Sequence, residues 1–277
     1  MTASAVRYLL QVGALAAVYF AAAKGGLLLA TVGAQVTLVW PPTGLALAAL
    51  LLGGPRLWPG IAVGATLVNA STGVPVATAC SMGMGNTLEA LTAVAMLRRF
   101  GFQPSLDRLR DVFALVALAA GLSPLASATI GVASLLLGGV LPLRSVATAW
   151  GTWWLGDALG DVVVAPLLLV LSERPWRHLK ARRAVEAAVL LVAVVPASLA
   201  VFGGWFGVTH LYGLPLVYLV FPFALWATLR FGPPGAVLFT GLVSGFAISG
   251  VVHITGPFVH GTILHYNLLK RAFPNLG

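Results

Sequence analysis

The sequence predicts an all-α membrane protein: a polytopic transmembrane helix bundle of about eight to ten membrane segments, some short or kinked. Three observations predict it. Of the 277 residues, 59% are hydrophobic and 8% charged, against about 25% charged in soluble domains, too few to cover a globular surface with charge. Apolar runs near the roughly 18 to 20 residues needed to cross a bilayer recur along the chain. The basic residues gather between those runs rather than within them.

Charged and Pro/Gly-rich breaks delimit segments at 6–31, 40–54, 58–70, 75–97, 111–137, 146–172, 184–203, 213–230, 234–252 and 257–269. The second, third and last are short and read as half-helices or re-entrant segments. Arg7 and Ala21-Ala22-Ala23 loosely resemble a secretory signal, but the apolar run resumes after Lys24, as in a first transmembrane helix. Pro41, Pro42, Pro59, Pro233 and Pro234 lie near helix starts, while Pro124, Pro166, Pro196 and Pro222 are expected to kink their spans. Gly60/Gly64, Gly156/Gly160 and Gly241/Gly245 have the small-xxx-small spacing of close helix contacts in lipid.

Net charge is +9. The clusters at 98–110 and 174–183 fall on one side of the membrane, with Arg7, Arg56, Arg230, Lys270 and Arg271; only Arg144 falls on the other. This asymmetry predicts a cytoplasmic N-terminus and contact with anionic lipid, not nucleic acid. Cys80 excludes an internal disulfide and is expected to act as a small buried hydrophobe.

Two of the seven acids, Asp157 and Asp161, lie in WWLGDALGD, near the midpoint of the 146–172 span. An ionised Asp at that depth costs about 2.5 to 3.5 kcal/mol unless paired, hydrated or protonated. Their i, i+4 spacing places them on one helix face, part of which Trp150, Trp153 and Trp154 share. The tryptophans also suit an interfacial belt. A second polar cluster, Asn86 and Glu89, lies in GMGNTLEALTA at 83–93. Lys24 is the buried cation that would pair with Glu89, Asp157 or Asp161. In VWPPTGLALAALLL at 39–52, Trp40 precedes a helix start and Thr43 offers a hydroxyl near exposed N–H groups, where an anionic group can dock. A structural bridge between helices and a ligand site both fit these residues.

Other chemistries find little support. No P-loop is present, and GMG at 83–85 lacks the rest of a dinucleotide fingerprint. Intramembrane aspartyl proteases need a GxGD motif and acids on two helices, whereas position 154 is Trp and both aspartates share one helix. Ser244 follows Leu242-Val243, not the GxSG of a rhomboid-type site. His253, His260 and His265 are interrupted by Gly256, Pro257 and Gly261, a poor metal-ligand pattern, so no metal or cofactor is expected.

Five motifs in order, VWPPTGLALAALLL (39–52), RLWPGIAVGATLVN (56–69), GNTLEALTAVAMLRRFGF (85–102), SLDRLRDVFALVALAAGLSPLASATIGVASLLLGG (105–139) and WWLGDALGDVVVAPLLLVL (153–171), resemble the MASE1 family of bacterial membrane-associated sensory modules. The resemblance runs from about residue 5 to 255. It implies an input domain of about eight transmembrane helices, usually followed by a histidine kinase, diguanylate cyclase or phosphodiesterase. Asp157 carries the resemblance; Asp161 stands where the family more often has an apolar residue. The tail PFVHGTILHYNLLKRAFPNLG is short and broken, so residues 1–277 are expected to form one sensory domain without a soluble effector.

The expectation is therefore a non-enzymatic sensory module of the bacterial inner membrane, with Trp40, Thr43, Asn86, Glu89, Trp153, Trp154, Asp157 and Asp161 as its ligand-binding residues. A small-molecule ligand and a separate histidine kinase or diguanylate cyclase would be its partners. A small-solute transporter, or the substrate-binding subunit of one, is the alternative.

Overall fold

The computed structural model describes residues 2–27, 30–32, 36–37, 39–173, 180–203, 210–211 and 214–252. Met1–Glu173 and Arg174–Gly277 form two compact units. The first contains α1 (Ala3–Leu27), α2 (Pro41–Gly53), α3 (Trp58–Ala70), α4 (Val76–Arg99), α5 (Leu109–Ala114), α6 (Pro124–Leu137) and α7 (Val146–Ser172). The second contains α8 (Ala181–Phe202) and α9 (Phe221–Val252). Two antiparallel hairpins join helices: β1 (Ala30–Val32) with β2 (Val36–Thr37), and β3 (His210–Leu211) with β4 (Leu214–Pro215).

In the first unit α2 is the central element. Its 13 residues run ~20 Å, well short of a bilayer core. Trp40 precedes it, and Pro41 and Pro42 occupy its first two positions, where a missing N–H costs nothing. Pro42, Thr43, Gly44, Ala46, Leu47, Ala48 and Leu50 are all buried, as in a helix covered on every side. The cover comes from α1, α4 and α7.

Small residues set how closely these helices approach. A Cβ on Gly60 or Gly64 of α3 would meet the carbonyls of Val12 and Ala16 in α1. One on Gly44 would meet Gly160 O, and one on Gly160 would meet Trp40 O. Gly60, Gly64 and Gly160 of the expected glycine pairs thus pack tightly, whereas Gly245 has open space where its Cβ would lie.

Between α5 and α6 the backbone passes through a π-helical stretch, Leu115–Leu122. Pro124 supplies no N–H for Ala119 O, and the Ser123 hydroxyl donates to that carbonyl instead, at 2.6 Å. In the second unit Arg230 of α9 holds Glu186 of α8, with Trp226 Nε1 donating to the same carboxylate at 3.1 Å. Gly232, with φ +63°, bends α9 just before Pro233 and Pro234.

The architecture is the expected all-α membrane bundle with fewer spans than eight to ten. Among the described residues five stretches are long and apolar enough to cross a membrane: Ala3–Leu27, Leu109–Leu137, Leu143–Ser172, Ala181–Phe202 and Leu216–Gly250. Three physical reasons account for the difference. The helices α2 and α3 are too short, α4 is long but carries polar residues through its middle, and 213–230 and 234–252 run on as one bent helical stretch. The segment at 257–269 lies outside the described residues.

Candidate functional site

Asp157 joins three helices. Its Oδ1 accepts from Thr43 Oγ1 of α2 at 2.9 Å, and its Oδ2 accepts from Ser127 Oγ of α6 at 2.6 Å. One residue earlier on α7, Gly156 O accepts from Trp40 N at 2.9 Å. One turn later, Gly160 lets the Trp40 carbonyl close in. The VWPPTG and GDALG motifs are therefore two sides of one contact. Thr43, in the first turn of α2, is the residue through which that helix holds Asp157.

A small cavity lies beside this contact, lined by Val36, Thr37, Trp40, Asn69, Asn86, Trp153 and Asp157. It has room for little more than a water-sized particle. Asn86 Nδ2 donates to Met82 O at 2.9 Å, while its Oδ1 is buried without a donor. Asn69 Nδ2 likewise donates back along its own helix, to Ala65 O. The Trp153 side chain packs across Gly131 of α6 and faces Asp157.

Carboxyl groups gather around the cavity. Glu89, one turn beyond Asn86 on α4, is 1% exposed and neighbours Ser127 and Asp157, and its Oε1 has no hydrogen-bond partner. Asp161 is fully buried with both oxygens unpartnered. Tyr19 of α1, close to Trp40 and these acids, has a buried hydroxyl without a partner. A buried polar atom left unpaired costs about 1 to 3 kcal/mol, so these groups as they stand weaken the fold rather than strengthen it.

Of the residues expected from sequence, Trp40, Asn86, Trp153 and Asp157 line the cavity, and Thr43 and Glu89 support it from behind. Trp154 turns elsewhere: its indole donates to Gly121 O in the π-helical stretch, at 3.0 Å. Trp150 donates to Thr129 Oγ1 of α6 at 3.1 Å. Asp161 is buried but does not line the cavity. Lys24 is exposed, with its ammonium 5.6 Å from the centre of the Phe20 ring, and does not make the expected pairing. Its position in the last turn of α1 leaves the long side chain free to reach outward. Cys80 is exposed on the outer face of α4, not buried. His178, His253, His260 and His265 lie outside the described residues.

Sequence reasoning missed Ser127, Asn69, Thr37 and Tyr19. Asn69 carried a usable signal, a lone amide at the end of the apolar RLWPGIAVGATLVN. Ser127 carried none, because serine is common in apolar helices and only its position opposite Asp157 distinguishes it.

The MASE1 family model matches residues 11–269. The probable diguanylate cyclase DgcE of Escherichia coli (strain K12) is 28% identical over 211 residues, covering 72% of this chain and 17% of that protein. The chain therefore spans about 17% of that relative's length. No solved structure matches the chain. With the family match running nearly end to end over an all-α membrane bundle, the chain belongs to MASE1, a family of membrane sensory domains.

Proposed function

We propose that this chain is a non-enzymatic input module of the bacterial inner membrane, with a cytoplasmic N-terminus. It responds at the cavity beside Asp157 and passes the change to a cyclic-di-GMP or histidine-kinase effector on the cytoplasmic side. One observation carries this reading. Asp157 ties α2, α6 and α7 together through two neutral hydroxyls, beside a cavity with an unsatisfied oxygen. An event there that pulls on the carboxylate competes directly with Thr43 and Ser127, and so bears on the packing of three helices at once. A ligand shifts a conformational equilibrium only by its difference in affinity for the two states, and these exchangeable hydrogen bonds supply such a difference.

The likeness to a diguanylate cyclase supports a cyclic-di-GMP effector as partner. The excess of basic residues at 98–110 and 174–183 supports the orientation. The test is a fusion of residues 1–270 to a diguanylate cyclase. Asp157→Asn and Glu89→Gln are expected to lock its output high or low while the protein still reaches the membrane. Output identical to that of the parent fusion in both variants would sink the reading.

A further inference from the structure

We propose that the cavity beside Asp157 takes one small monovalent cation, an alkali ion or ammonium, held between Asn86 Oδ1 and the Asp157 carboxylate. This rests on the sensory reading of the same site and names the chemistry it would respond to. The orientation of Asn86 is the first argument. Its Nδ2 donates to Met82 O, and flipping the amide would set two oxygens against each other. The buried Oδ1 must therefore face the cavity wall without a donor. The second argument is Asp157. Each of its oxygens accepts one hydroxyl hydrogen bond, Glu89 and Trp153 also face the carboxylate, and Asp157 itself lines the cavity.

The third argument is charge. Glu89 and Asp161 stand nearby with unpartnered oxygens, and Lys24, the cation on the adjoining helix, faces outward over Phe20. Arg108 and Arg230 make their ion pairs with Asp111 and Glu186 instead. A water molecule would give Asn86 a donor but leave the Asp157 carboxylate without a positive partner. A cation does both, since a coordinated ion satisfies oxygen lone pairs and brings the missing charge. The species must be small, because the cavity holds little beyond a water-sized particle. It must also be singly charged. Among the described residues no three His, Cys, Asp or Glu side chains are arranged to hold a metal, whereas a divalent ion wants six or more oxygens with several carboxylates.

The experiment uses the full chain in phosphatidylcholine nanodiscs, titrated with sodium, potassium, ammonium or choline chloride at constant ionic strength. Intrinsic tryptophan fluorescence, to which Trp40 and Trp153 contribute from the cavity wall, and thermal unfolding are followed together. A saturable change is expected with at least one of the small cations and none with choline, which is too large to enter. Asn86→Leu should raise the half-saturating concentration by about tenfold or more, and Asn86→Asp should lower it by about tenfold, each being the loss or gain of roughly one charge-assisted contact. If Asn86→Leu does not fold, Asn86→Asp decides alone. Equal responses to all four salts, or half-saturation unmoved by the Asn86 variants, would overturn the proposal. The cyclase fusion separates the two readings. Output that depends on Asp157 but ignores the cation removes the cation and keeps the sensor. Saturable binding that leaves output untouched keeps the site and removes the sensor.

Discussion

Asp111 and Asp157 are the same residue type, equally sealed from solvent, yet the fold treats them oppositely. Asp111, in the first turn of α5, receives a two-pronged contact from Arg108, at 2.6 Å from Nε and 2.9 Å from Nη2. Arg108 and Arg110 also both donate to Gly101 O, which fastens the connection between α4 and α5. Gly101 sits there with φ +68°, a conformation that favours glycine. Every partner of Asp111 is local, and its charge is cancelled by guanidinium. Asp157 instead accepts from two hydroxyls, of residues 114 and 30 positions away in sequence. A staple is neutralised by its neighbours; the acid at the proposed site is held by hydroxyls instead of a guanidinium.

The contact that creates this contrast can be broken outright. Gly160→Leu would drive a side chain into the Trp40 carbonyl and unseat α2 from α7. Overpacking at backbone contact of this kind is expected to cost about 3 kcal/mol, the largest effect foreseen. Thermal unfolding in detergent measures it, and an unchanged midpoint would mean that α2 does not sit on α7 as described. Next in size is Asp111→Asn. Breaking the buried ion pair should cost about 3 kcal/mol at most, less to the extent that Arg108 reaches water, and a fused cyclase should respond as before. Asp157→Asn should show the reverse pattern, a loss of about 1 kcal/mol with the response abolished. Two variants with the same balance of stability and response would erase the distinction between staple and site.

Why Asp157, Asn86 and Glu89 were legible in the sequence follows from the cost of polar groups in lipid, which no tertiary arrangement is needed to see. Helix positions were legible for a similar reason, since apolar length and proline placement act locally. The partners were not. Ser127 and Thr43 matter because of which helix faces which, and the spacing of Gly156 and Gly160 announces a close contact without saying with what. The short apolar run of α2 was legible as less than a full crossing, but that it is covered on every side depends on its neighbours. The family resemblance and the residue chemistry pointed to the same stretches, but only the structure brought VWPPTG and GDALG into one contact.

Asp161 sharpens the comparison by lacking what both other aspartates have. With neither oxygen partnered, replacing it by Leu removes a buried polar group without breaking a hydrogen bond. The expected result is a stabilisation of about 1 to 2 kcal/mol, seen as a higher unfolding midpoint. A destabilised Asp161→Leu protein would mean that this carboxyl is satisfied in the membrane by an ion or water, and would move it from bystander to part of the site.

Lys24 gives the smallest expected effect and the cleanest check on how the acids are compensated. The sequence suggested that it neutralises one of them, whereas its ammonium stands over the Phe20 ring on the outside of α1. An exposed cation–π contact is worth about 0.5 to 1 kcal/mol, so Lys24→Gln should change stability by no more than that. It should leave the cation titration and the output of a cyclase fusion unaltered, because no carboxylate loses a partner. A loss of several kcal/mol would instead place Lys24 against Glu89, Asp157 or Asp161 in the membrane. The acids would then be compensated from within, and the cavity beside Asp157 would have no need of a cation from outside.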